Sequence, residues 1–251
     1  MGCQAYTYNW NVHVKIPFST YDFFGYLANG FIVLCAFEYA FSGTALAERD
    51  WKIGPAVFYL VLAYIIGHII ANISSYFLEH KVVREWLKSP EETLFFEAKK
   101  PGEKKSWGEF LFPIFYRPFP LETQKRVLAV AGKNGFERPG RGLFLHVHSV
   151  VKQDRVTLER LASFLNLYGF CRNVATGLIA AAVLLLIGAL IDMGHWSEID
   201  NRRLAWMGAA LVGAVGMFYR YLKFFKHYTT EVFASYAEFN QDKPKEQPKS
   251  V

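Results

Sequence analysis

Only three cysteines occur in the 251 residues, Cys3, Cys35 and Cys171, too few and too scattered for a disulfide scaffold or a CxxC-type metal site. Free thiols in a reducing compartment are the expectation. Charge is scarce as well: 20% of residues are Asp, Glu, Lys or Arg, against about 25% in ordinary soluble domains. The balance is 52% apolar and 17% aromatic, which excludes disorder for most of the chain. HExxH, GxSxG, the P-loop and GxGxxG are all missing. His146 and His148 are two apart, which points them to different faces of a helix and suits joint metal ligation poorly. Asp154, Glu159 and His148 read as helix-surface salt bridges before they read as an acid/base set. Neither enzymatic activity nor a metal or cofactor is expected.

Against this scarcity of charge stand four long apolar runs. A bilayer crossing needs about 20 helical residues. Phe23 to Phe41 carries one charge, Glu38, near its far end, and Pro55 to Leu78 carries none with His68 neutral. Val174 to Ile191 is almost wholly Leu, Ile, Val, Ala and Gly, and Leu204 to Tyr219 is extended by Arg220 and Lys223, which can snorkel. The first run lacks a basic leader and an A-x-A site, so it reads as a retained span and not as a signal peptide. The fold class expected is all-α, with four transmembrane helices.

Basic residues set the orientation. Residues 79–173 hold 17 of the 28 Lys and Arg, and the segment from Arg220 holds six more, while the loops at Gly43 to Gly54 and Gly194 to Arg203 hold two each. By the positive-inside rule both termini and the middle segment are expected to be cytoplasmic. The same rule explains much of the net charge of +6 with no ligand. The division is a cytoplasmic segment at 1–20, spans one and two within 21–78, a cytoplasmic helical domain at 79–173, spans three and four within 174–219, a cytoplasmic helix at 220–240 and a disordered tail at 241–251.

Three spans are expected to extend inward as a stalk. The second continues through Glu79 to Lys88, since no breaker precedes Ser89-Pro90. Residues 89–122 mix turns with aromatic anchors, and a short helix, Glu122 to Lys133, follows. No proline occurs from Leu143 to Gly194, so one helix is read from the cytoplasm into span three. Phe144, Val147, Val151, Asp154, Leu158, Leu161, Leu165 and Tyr168 recur on it at steps of three and four, a heptad seam with one polar interruption at Asp154. The last helix repeats the pattern from Phe218 to Phe239.

Span two carries Ala63, Gly67, Ala71 and Ser75 at four-residue intervals, a small face that lets helices approach closely. Beside it run His68, Asn72, Ser75 and Glu79. Two readings stand: tight packing within one subunit, or a polar stripe on a water-filled cavity, since ionisable groups at membrane depth mark pathways or buried partners. Asp22, Glu79, Arg172 and Arg220 fall at the cytoplasmic ends of the spans, where antiparallel neighbours would form a ring of ion pairs able to latch a gate. Lys125, Arg126, Lys133, Arg138 and Arg141 surround a Gly/Pro-rich turn suited to phosphate, whether of an oligonucleotide or a nucleotide signal, or to an acidic partner surface.

Three motifs, Tyr-Asp-Phe-Phe-Gly-Tyr-Leu at 21–27, Gly-His at 67–68 with the closing Glu79, and Leu-Tyr-Gly-Phe-Cys-Arg-Asn at 167–173, resemble those of uncharacterised bacterial four-pass inner-membrane proteins. These in turn resemble the tetrameric membrane effectors of antiphage defence systems, of the Hailong or Kiwa type. The resemblance implies a homo-oligomer, four subunits favoured, that perturbs the membrane when a cytoplasmic partner or a nucleic-acid or nucleotide signal engages the inward domain. It supplies no catalytic residues. The function expected is a gated pore or membrane-disrupting effector; the alternative is a non-conducting anchor that recruits a cytoplasmic partner.

Overall fold

A computed structural model describes residues 20–43, 46, 52–96, 106–193 and 201–239. The readings of 1–20 as a cytoplasmic segment, apart from Thr20, which opens the first helix, and of 241–251 as a disordered tail lie outside these residues. All regular structure among the described residues is helical: α1 (Thr20–Ser42), α2 (Ile53–Ser74) with a π-helical continuation (Ser75–Leu87), α3 (Pro90–Thr93), α4 (Trp107–Leu111), α5 (Leu121–Gly132), α6 (Arg141–Val151), α7 (Arg155–Met193) and α8 (Asn201–Phe239).

The frame is the antiparallel pair α7 and α8, each 39 residues long. Arg160 with Glu231, Tyr168 with Tyr221, Leu178 with Gly213 and Gly188 with Arg203 mark successive levels along it. At one end α1 lies against both α7 and α2, and at the other α5 and α6 pack on the last turns of α8. Three clusters fill the interior in turn. Ala36, Ala40, Ala181 and Leu185 join α1 to α7. Val83, Leu87, Phe115, Cys171, Tyr221 and Phe225 form the middle, and Leu94, Phe95, Val127, Val147, Leu161 and Phe233 build a helical head.

Among the described residues two helices are long and apolar enough to cross a membrane, the one from Ile53 and the one from Arg155, with mean hydropathies of 2.1 and 2.7 over their apolar stretches. Only 22% of the first stretch and 44% of the second is buried within the protein. Four such helices were expected. The described parts of α1 and α8 fall short because Tyr26, Asn29, Glu38 and Tyr39 dilute the first, while Trp206, three glycines and Arg220 dilute the second. Their outward faces are nevertheless apolar: Phe31, Phe37 and Phe41 on α1 and Trp206, Val212 and Val215 on α8 are exposed, like Val57, Phe58, Val61, Ile65 and Ile69 on α2.

One helix was read from Leu143 to Gly194, and the structure divides it. The chain turns at Lys152, Gln153 and Asp154, where the Gln153 and Asp154 N–H groups donate to Val150 and Val151 at 3.2 and 3.1 Å. The Asp154 carboxylate accepts the Thr157 N–H at 2.8 Å, capping α7. Bonds from the Thr157 side chain and backbone hold that carboxyl below its ordinary value. Asp154 therefore starts a helix instead of interrupting a seam. The seam is divided as well, for Val147, Val151 and Leu161 are buried while Leu158 and Leu165 are exposed.

Candidate functional site

Glu79 follows the apolar part of α2 by one turn, inside the π-helical segment. A π-helix pairs residue i with i+5, where an α-helix would pair i with i+4. Arg84, five residues on, accordingly reaches Glu79 Oε1 with Nη2 at 3.1 Å. Arg172 Nη1 of α7 donates to the other oxygen, Oε2, so one carboxylate is shared by two guanidinium groups. The Glu79 and Arg172 side chains are 17% and 13% exposed, which shields the pair from salt while leaving one edge wet. Arg172 also donates to Asn173 Oδ1 through Nε and Nη2, both at 3.4 Å.

The wall behind this cluster is aromatic. Tyr168 and Tyr221 stand 6.1 Å apart, ring to ring. Burial, reinforced by Glu79, pushes the Tyr168 phenol up to about 12, and the same two causes raise Tyr221. The Tyr221 hydroxyl is buried with no hydrogen-bond partner among the described residues. The expected ring of four is thus partly assembled. Glu79 and Arg172 meet; Arg220 turns away, its guanidinium 5.3 Å from the Phe224 ring centre. The Asp22 side chain lies outside the described residues. Arg84 was missed because helical spacing of three or four does not flag a residue at five.

Deeper along α2, the half-buried His68 packs against α1. Its ring stacks on Tyr26 at 4.1 Å and meets Tyr64 edge-on at 4.5 Å. The small face packs inward too: Ala63, Gly67 and Ala71 are buried, and a Cβ on Gly67 would lie 1.9 Å from the Tyr26 carbonyl oxygen. Gly30 of α1 reciprocates, since a Cβ there would lie 1.7 Å from the Ala63 carbonyl oxygen. Asn72 and Ser75 behave differently, for both are exposed on the outside of α2. Asn29 of α1, not among the expected site residues, is fully buried against Gly177 of α7, with neither amide atom bonded among the described residues.

At the far end of the head, Lys125, Arg126, Lys133, Arg138 and Arg141 are all exposed, and none makes an ion pair among the described residues. Their turn is pinned to α8: Asn134 Nδ2 donates to the Tyr236 hydroxyl at 3.2 Å, and His146 Nε2 lies 3.3 Å from the same oxygen. Phe136 stacks on the His146 ring at 4.6 Å. Gly140, at φ +145°, opens α6 in a conformation that side chains rarely adopt. No group of three or more His, Cys, Asp or Glu that could hold a metal occurs among the described residues.

Over its described residues the molecule is all-helical, two of these helices are long and apolar enough to cross a membrane, and a helical head stands at one end. No family model, curated protein or solved structure matches the chain.

Proposed function

We propose that α1, α2, α7 and α8 all cross a bacterial inner membrane with both chain ends inside, and that copies of the protein assemble into a gated pore or membrane-disrupting effector. The shared depth of the four helices supports the crossing, since α1 lies along both apolar helices and α8 runs beside α7. One observation carries the assembly: the Asn72 side chain is exposed on the outside of α2, within two turns of Glu79, among exposed Ile65, Ile69 and Ile73. An amide facing acyl chains costs about 2 to 7 kcal/mol, whereas one facing another copy or an aqueous axis is satisfied. Ser75 extends the polar strip toward the Glu79 cluster, which sits where a latch would act.

The basic turn of the head is the triggering surface in this reading, engaged by a nucleic-acid or nucleotide signal or by an acidic protein, and antiphage defence is the setting that the sequence resemblance offers. The test is Asn72→Leu, which keeps the helix and removes the amide. Depolarisation of expressing cells and current in planar bilayers should fall at unchanged subunit number. An assembled Asn72→Leu protein that conducts like the wild type overturns the pore. A second reading, a non-conducting anchor for a cytoplasmic partner, draws on the burial of Ala63, Gly67 and Ala71 within one subunit.

A further inference from the structure

Residues 106–117 hang beside α8 where its apolar stretch ends. Ser106 and Glu109 form a capping box that starts α4, the Ser106 N–H donating to the Glu109 carboxylate at 3.0 Å. The inner side of this segment is fastened to the long helices. Lys226 Nζ donates to the Ile114 carbonyl at 2.6 Å and also to that of Arg117, the Tyr219 hydroxyl donates to Leu111, and the Tyr116 hydroxyl donates to Leu87 at 2.6 Å. Phe115 fills the middle core and is 2% exposed. Among the described residues nothing covers the outer side: Trp107 is 80% exposed and Phe110 70%, with Leu111 and Ile114 near half.

Four large apolar side chains in eight residues would be an aggregation hazard in water. A Trp-led apolar face fixed at the end of a spanning helix matches what lies in a lipid headgroup layer. Between this segment and α8 opens a cleft of about 430 Å³, floored by Phe112, Phe115, Gly216 and Leu222 and rimmed by Arg220 and Lys223. Both cations are exposed, and Arg220 is set by its stack over Phe224.

We infer that this cleft binds an anionic phospholipid, its phosphate between Arg220 and Lys223 and its acyl chains along Phe112 and Gly216, with Trp107 and Phe110 buried in the surrounding headgroups. The inference rests on the membrane-spanning reading above. Charge complementarity selects the headgroup, and the apolar floor, continuous with the exposed faces of α8, selects a lipid over a free anion.

The test uses the full chain in neutral detergent, titrated separately with phosphatidylglycerol, phosphatidylcholine and inorganic phosphate while thermal unfolding is followed. Phosphatidylglycerol alone should raise the melting temperature, and Arg220→Gln with Lys223→Gln should weaken its apparent affinity about thirtyfold. After reconstitution into phosphatidylglycerol vesicles, brominated lipid should quench less tryptophan fluorescence in Trp107→Ser with Phe110→Ser than in the wild type, while the detergent melting temperature stays in place. Equal stabilisation by phosphatidylcholine, an undiminished response in the double glutamine variant, or saturation by inorganic phosphate overturns the inference. Release of the wild-type chain from membranes by carbonate would sink the spanning reading itself, whereas a carbonate-resistant chain indifferent to phosphatidylglycerol sinks only the lipid site.

Discussion

Gly67→Ala adds a single methyl group where α1 and α2 cross with their backbones touching. The new Cβ would stand 1.9 Å from the Tyr26 carbonyl oxygen, 2.6 Å from its carbon and 3.0 Å from Cα, whereas ordinary contact begins at 3.4 Å. The helices must separate by about 1.5 Å, and no flexible side chain can yield in their place. Overpacking of this kind costs about 1 to 3 kcal/mol, and rigid backbone on both sides puts it at the upper end. Alanine returns about 0.5 to 1 kcal/mol of helix preference, which leaves a net loss near ~2 kcal/mol. Gly216→Ala on α8 is the internal control, because a Cβ there meets nothing within 4 Å and only the helix preference remains. The two variants should differ by about 3 kcal/mol, or roughly 6 to 12 °C in a thermal melt of a chain this size. Gly30→Ala should resemble Gly67→Ala, and the double variant should cost less than the sum, since the first methyl already opens the gap. A Gly67→Ala protein that melts at or above the Gly216→Ala protein in the same detergent refutes the close crossing.

Glu79→Gln leaves Arg172 and Arg84 facing each other without their shared carboxylate, and denaturation should show a loss of about 3 kcal/mol that Glu79→Leu with Arg172→Leu largely restores. Burial, then the charge of Arg117, brings Lys226 from 10.5 down to about 8, so the folded state binds fewer protons than the unfolded between those values. Stability should therefore climb as pH rises from about 8 toward 10.5, and Lys226→Met should flatten that slope in melts taken across the range. Leu161→Asp, at a site 2% exposed, should abolish cooperative unfolding of the head, whereas Leu165→Asp, at 44%, should leave it intact, the opposite of what a continuous seam requires. For topology, cysteines at Ala47 and Ser197 should react with an impermeant thiol reagent applied outside while one at Ser106 stays unlabelled; labelling at Ser106 would invert the orientation.

What the sequence carried was periodicity and composition. The existence of α5, the long continuation of α2 past Glu79 and the small face at Ala63, Gly67 and Ala71 all follow from residue spacing, and the structure contains each of them. The partner of that face was not legible, because only the fold brings Gly30 against Gly67. The break at Lys152 was hidden for a physical reason: no Gly or Pro marks it, and an Asp that caps a helix sits at the same heptad position as an Asp that interrupts one. Arg84 was lost to a change of helical pitch. Asn29 carried a visible signal, a polar side chain amid an apolar run, yet only packing reveals that it faces α7 with no partner. Arg220 shared a level with Arg172 in sequence, and the direction of its side chain sent it to another cleft.

The pair α7 and α8 holds no proline in either arm, and each 39-residue arm spans about 58 Å at 1.5 Å per residue. The head is thus carried on two unjointed struts, while α2 changes pitch at Ser75 and its continuation ends at Lys88 with φ 66°. A load on the head, whatever applies it, behaves as torque on a lever. Two struts without a break would tip together, and α2, whose pitch changes where theirs does not, is the member they would move against. Displacement at Arg138 would arrive at Arg203 as tilt, and any slip between α2 and α7 would be felt first by the Glu79–Arg172 pair that joins them.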